Sequence, residues 1–139
     1  MRFLFLTLIS FLLFSCEKNE INKDYIEKYY IKGDFFDEQK VFINTEVHEA
    51  GPADNFEVYI LGDQTDAPNR IEIRFIFSNG QYDISSITFH RNGQSASVGN
   101  YLSGEIHKNG NIYEGTFERI PPDNSLKIEN GEFKVLLKN

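Results

Sequence analysis

Along most of this 139-residue chain apolar and polar side chains alternate with a period of two, the pattern of half-buried β-strands. Two segments ahead of the alternation do not share it. Phe3 to Phe14 is one largely apolar run behind Arg2, and Glu17 to Glu27 is polar and charged throughout. From Tyr29 the period settles: Tyr29, Ile31 and Phe35 alternate with Tyr30, Lys32 and Asp34. After an Asp37-Glu38 turn, Val41, Ile43 and Val47 alternate with Phe42, Asn44 and Glu46. This predicts an opening hairpin whose outer face carries Phe42, with Tyr30 and Phe36 on the same side. His48 to Asn55, with Gly51 and Pro52, predicts a loop, followed by a strand carrying Phe56, Val58 and Ile60 on one face. Gly62 to Asn69, closed by Pro68, predicts a second loop. The cleanest alternation is Arg70 to Phe77, where Ile71, Ile73, Phe75 and Phe77 oppose Arg70, Glu72 and Arg74.

Asn-Gly pairs at 79–80, 92–93, 109–110 and 130–131 punctuate the rest. Both residue types tolerate the positive φ that tight hairpin turns demand, so each pair predicts a turn between antiparallel strands. The strands so predicted are Tyr82 to His90, Gln94 to His107, Asn111 to Arg119, a short Leu126 to Glu129 and a closing Glu132 to Lys138. Ser97 to Asn100 predicts a bulge or corner within the second of these. Pro121 to Asn124 predicts the last loop, because proline cannot donate to a ladder. The count is about eight or nine strands in one all-β domain over residues 28–139, an antiparallel β-sandwich or, alternatively, a lipocalin-like up-and-down barrel. The difference bears on function, since a sandwich interior is filled whereas a barrel of about eight strands can hold one small ligand.

Composition changes the picture at the N-terminus. Arg2, the apolar run and Ser15 before Cys16 form a secretory signal, and the run is shorter than the ~20 residues of a spanning helix. Leu13, Phe14, Ser15 and Cys16 resemble the lipobox of bacterial lipoproteins. That resemblance implies removal of residues 1–15, lipidation of Cys16 with diacylglycerol and a further acyl chain, and a tether over residues 16–27. Fully extended, eleven tether residues reach about 38 Å. Fourteen Lys and Arg oppose twenty-one Asp and Glu, for a formal charge of −7. An acidic chain is a poor partner for nucleic acid, so none is expected. Cys16 is the only cysteine, which excludes an internal disulfide. Thirteen Phe and seven Tyr must supply much of the core.

Candidate chemistry is sparse. Glu105 and His107 share a strand face and His90 lies on a neighbouring strand, which makes them the metal candidates. Ordinary surface charge accounts for them as well, and no metal or other cofactor is expected. His48-Glu49 is a weaker pairing. Asp63, Gln64, Thr65 and Asp66 carry oxygen ligands without the spacing of a calcium loop. No nucleophile elbow, Walker or dinucleotide motif is present, so catalysis is not expected. The outward aromatics Tyr30, Phe36 and Phe42 are the candidate binding residues, as a patch for a protein or glycan.

The stretch Tyr101 to Leu137 carries a Gly-Glu-Ile strand (Gly104 to Ile106), a Gly-Thr-Phe-Glu strand (Gly115 to Glu118) and the ending Ile128-Glu129-Asn130-Gly131-Glu132-Phe133-Lys134-Val135. With the lipobox and tether it is similar to the small outer-membrane lipoproteins of Bacteroidetes-type bacteria, a group without an assigned function. The resemblance implies an envelope location at the outer membrane and a membrane partner through the anchor. The functional expectation is a non-catalytic binding or structural module for an envelope protein or glycan. The alternative is a carrier of a small apolar ligand, and a hydrolase comes third.

Overall fold

The computed structural model describes residues 28–64 and 69–138. The predicted signal, Cys16 and the tether lie outside the described residues, as do Thr65 and Asp66. Nine strands form: β1 (Tyr30–Phe35), β2 (Glu38–Ala50), β3 (Asn55–Gln64), β4 (Asn69–Ser78), β5 (Gln81–Arg91), β6 (Gln94–Val98), β7 (Leu102–Asn109), β8 (Ile112–Arg119) and β9 (Ile128–Leu136). They make one sheet in the order β6-β5-β4-β3-β2-β1-β9-β8-β7, antiparallel throughout. The all-β antiparallel class is as the alternation predicts, and the strand number agrees because two differences cancel. The predicted strand from Gln94 to His107 divides into β6 and β7, while the predicted strands over 126–129 and 132–138 are one, β9. A single sheet curls over its own inner face into a half-barrel, so the two faces that a sandwich would pack together belong to one continuous ladder.

Successive antiparallel pairings leave β6 and β7 running in the same direction. Only Gly99 to Tyr101 separates them, at the corner that the sequence predicts. The chain therefore travels along one path, bonded first to the C-terminal half of β5 and then to β8. Beyond that corner β7 lies against β5 without a ladder between them.

Three expectations need correction. Phe42 is buried in the core and does not face outward. Asn44, at φ 51°, forms a bulge where the β2–β3 register shifts, and the extra residue reverses which parity faces inward. Asn130-Gly131 is not a hairpin turn: β9 runs straight through it, with Asn130 at φ 52° as a bulge against both neighbours. The segment from His48 is not all loop, since β2 continues to Ala50. Asn79-Gly80 and Asn92-Gly93 do make turns with both φ values positive, and Phe36-Asp37 adopts the same conformation. At the fourth pair Gly110 alone is positive.

The interior is filled by alternating large and small residues. Phe117 stands opposite Gly104 and Gly131, and Phe133 opposite Gly115. Without Cβ atoms these glycines let the rings lie flat on neighbouring backbone, which fits bulky side chains into a tightly curled sheet. Phe75, Tyr113, Val58, Ile60, Ile71, Ile73 and Ile87 complete a core that excludes solvent. A Cβ on Gly131 would sit 2.0 Å from the Phe117 carbonyl oxygen, a backbone clash with no soft side chain to move. Gly131→Ala is expected to destabilise the domain by about 2 kcal/mol or more, read as a lower midpoint in chemical denaturation. A midpoint equal to that of the parent chain would mean the curl relaxes freely.

An apolar mouth as candidate functional site

The turn at 36–37, the turn at 92–93, the loop 120–127 and the strand ends Gln64 and Asn69 gather at one end of the half-barrel. There the filled core stops short of the rim. A cavity of about 300 Å³ opens between Phe35, Phe36, Phe42, Phe89 and Leu126. Its floor is a set of edge-to-face rings: Phe35 meets Phe42 at 5.7 Å and Phe89 at 5.6 Å between centroids, a geometry that adds attraction beyond area burial. One pleat further out on the inward parity stand Lys40, Gln64, Asn69 and Arg91, with Asn69 Nδ2 donating to Gln64 Oε1 at 2.8 Å. His90 also borders the cavity, its Nδ1 2.7 Å from Ser95 Oγ.

Two details hold this end open. Phe36 is 60% exposed with φ 51°, a left-handed conformation that costs a branched-ring residue about 1 kcal/mol. A turn of this kind ordinarily takes Asn or Gly, so a bulky ring here works against local stability. Leu126 is placed by Arg119, which is buried and donates to the Leu126 carbonyl, to Ser125 Oγ at 3.1 Å and to Asn100 Oδ1 at 3.0 Å. The Phe36 amide, donating to the Lys127 carbonyl at 3.2 Å, ties the turn to the same loop.

The opposite end is closed by polar contacts. Glu49 of β2 accepts from Lys108 Nζ at 2.5 Å and from the Tyr113 hydroxyl, reaching across to strands that are not its sheet neighbours. Burial opposes ionisation of Glu49, yet the Lys108 and Tyr113 hydrogen bonds prevail and hold its carboxyl below the ordinary value. Burial, reinforced by Glu49, pushes the Tyr113 phenol up. On the outer surface, Arg74 and then Tyr59 lower Glu57, and Lys32 and then Tyr30 lower Glu132.

The sequence candidates divide between these regions. Phe36 and Phe42 both line the mouth. Tyr30 starts β1 at the other end and donates to Glu132 Oε1 at 2.8 Å, so the three aromatics do not form one patch. Glu105 and His107 are exposed neighbours on β7, 3.9 Å apart, while His90 is at the mouth, and among the described residues no three metal-ligating side chains come together. His48 lies 3.4 Å from Glu46 and Asp63 3.7 Å from Arg70. Sequence reasoning passed over Phe35, Phe89, Lys40, Arg91 and Leu126. The signal available was Lys40-x-Phe42 and Phe89-x-Arg91, a cation two residues outward from an inward ring on strands that end together. Compared with protein-family models, curated proteins and solved structures, the chain matches none.

Replacing Phe36 by Asn is expected to raise stability by about 0.5–1 kcal/mol, because Asn suits the left-handed turn. Denaturant titration reads this directly, and a lower midpoint would show that ring packing at the mouth outweighs the backbone strain. For Glu49, a folded-state value below the unfolded one stabilises above the ordinary carboxyl value of 4.5, and that contribution fades as pH falls through the lower folded value. Glu49→Gln should therefore flatten the acid limb of a stability–pH curve below about pH 5. Parallel limbs for the two proteins would remove Glu49 from the account.

Proposed function

We propose that this protein is a lipid-anchored binding module of the bacterial envelope that takes a small apolar ligand into the mouth of its half-barrel, without catalysis. The observation that carries the reading is the cavity of about 300 Å³ floored by Phe35, Phe42 and Phe89. Phe35 and Phe42 are themselves buried, so the apolar surface offered to an occupant comes from the exposed Phe36 and the half-buried Phe89 and Leu126, and such surface favours an apolar occupant. At ~30 Å³ for each water-sized group, the space suits about ten non-hydrogen atoms, which is a short alkyl chain or a single ring system. A strained, exposed Phe36 beside it supports the same reading, because local strain retained at a surface turn is a mark of functional sites.

The anchor rests on the lipobox resemblance. The described chain enters β1 at Tyr30, and the mouth lies at the Phe35 end of that strand. A protein or glycan partner has less support, since Tyr30 stands apart from Phe36 and Phe42.

Isothermal titration of the full chain in zwitterionic lipid nanodiscs with 1-octanol, corrected with empty discs, tests the reading. Saturable binding at one site is expected, weakened at least fivefold by Leu126→Trp, whose larger ring fills the cavity. Partitioning indistinguishable from empty discs for octanol, and equally for octyl amphiphiles of either charge, would overturn it.

A further inference from the structure

The rim of the mouth has a charge opposite to that of the chain. Acidic residues outnumber basic ones by twenty-one to fourteen, yet the charged side chains bordering the cavity are Lys40 and Arg91, with no carboxylate among the described lining residues. The arrangement follows from strand parity. Lys40 precedes Phe42 by two residues on β2, and Arg91 follows Phe89 by two on β5. Each cation thus stands one pleat above a floor ring, on the same inward face. Gln64 is paired with Phe42 on β2, and Asn69 with Arg91 on β5, so the two amides lie on the rung that joins Phe42 to Arg91, with Lys40 two residues further along β2.

The two cations are differently engaged. Lys40 Nζ lies 2.9 Å from Glu38, an exposed pair of the kind that contributes little and exchanges readily. The Arg91 side chain is exposed and has no hydrogen-bond or ion-pair partner among the described residues. Its guanidinium presents a planar fork of donors at the edge of an apolar space, where a carboxylate can be met by two parallel hydrogen bonds. Apolar surroundings on one side reduce the screening that would weaken such a contact in open water.

From this arrangement we propose that the ligand is a medium-chain carboxylate, its alkyl tail on Phe35, Phe42 and Phe89 and its carboxylate on Arg91 with Lys40 as second cation. The inference rests on the apolar-mouth reading and adds the headgroup. An eight-carbon chain with a terminal carboxylate has ten non-hydrogen atoms, close to the roughly ten that the cavity accommodates at ~30 Å³ each. A purely apolar ligand would leave the cations Arg91 and Lys40 unused, and an ammonium amphiphile would meet like charge.

Three eight-carbon probes separate the possibilities in the nanodisc titration: octanoate, 1-octanol and octylammonium. Octanoate is expected to bind roughly tenfold more tightly than octanol, the scale of one charge-assisted hydrogen bond, and octylammonium more weakly than octanol. In Arg91→Gln the octanoate-to-octanol ratio should fall to about one, and in Lys40→Gln by a smaller factor. Raising salt should reduce the ratio in the parent chain, which keeps the test independent of how either variant folds. If octanol binds at least as tightly as octanoate, the headgroup assignment is wrong while the apolar mouth survives. A ratio unchanged in folded Arg91→Gln removes Arg91 from recognition. If no probe binds, both readings fall together.

Discussion

Strand β1 bonds to β9 almost the whole length of the described chain away, and the loop-closure entropy of that contact must be offset before a common core exists. Without it the chain holds two separate meanders, β1 to β6 and β7 to β9. With it, Ile31 and Phe35 from the first meander pack against Phe117, Ile128 and Phe133 from the second in one core cluster. The close approach depends on glycine at Gly33 and Gly131, where an added Cβ at Gly33 would already lie 3.2 Å from the Gly131 Cα. At Gly131 the backbone of β8 leaves no room for a side chain, while at Gly33 a methyl group would require the neighbouring strand to give by a few tenths of an ångström. Such non-local pairing is also the slow step expected of β folds with high contact order.

The alternation of apolar residues predicted nearly every strand, because burial on one face of a pleated sheet leaves a period of two in the chain. It failed where the period itself breaks. At Asn44 one extra residue in β2 reversed the inward parity, so Phe42 moved from expected surface to core floor. At Asn130 the residue pair that elsewhere turns the chain serves as a bulge within β9, because long-range pairing to β1 and β8 overrides the local turn preference. Phe36 and Phe42 were singled out as outward-facing, which holds for the exposed Phe36 and fails for the buried Phe42. What joins them is the meeting of five strand ends and a loop at one rim, which is a property of tertiary closure and leaves no mark in local spacing. Lys40 and Arg91 do carry a local mark, each two residues outward from an inward ring, but which strand ends meet is settled only by the closed fold.

The two ends of the half-barrel solve the problem of finishing a curled sheet in different ways. At one end Glu49, Lys108 and Tyr113 satisfy one another across the opening, and polar groups that would be costly alone become a seal. At the other, Phe36 stands exposed at the rim, with Phe35 and Phe42 buried below it. A barrel needs only one sealed end to retain a packed centre. The remaining end can therefore depart from the rules that hold elsewhere, including a phenylalanine in a glycine-like conformation and a buried arginine supporting a loop.

At the corner of Gly99 to Tyr101 the chain leaves β6, which bonds only to β5 and whose outer edge has no ladder among the described residues. Phe89, His90 and Arg91 lie on the last doubly bonded strand, joined to β4 on one side and to β6 on the other. The Arg91 side of the opening thus stands one strand from a sheet edge, whereas Lys40 sits on β2 near the middle of the sheet, with β1 and β3 on either side.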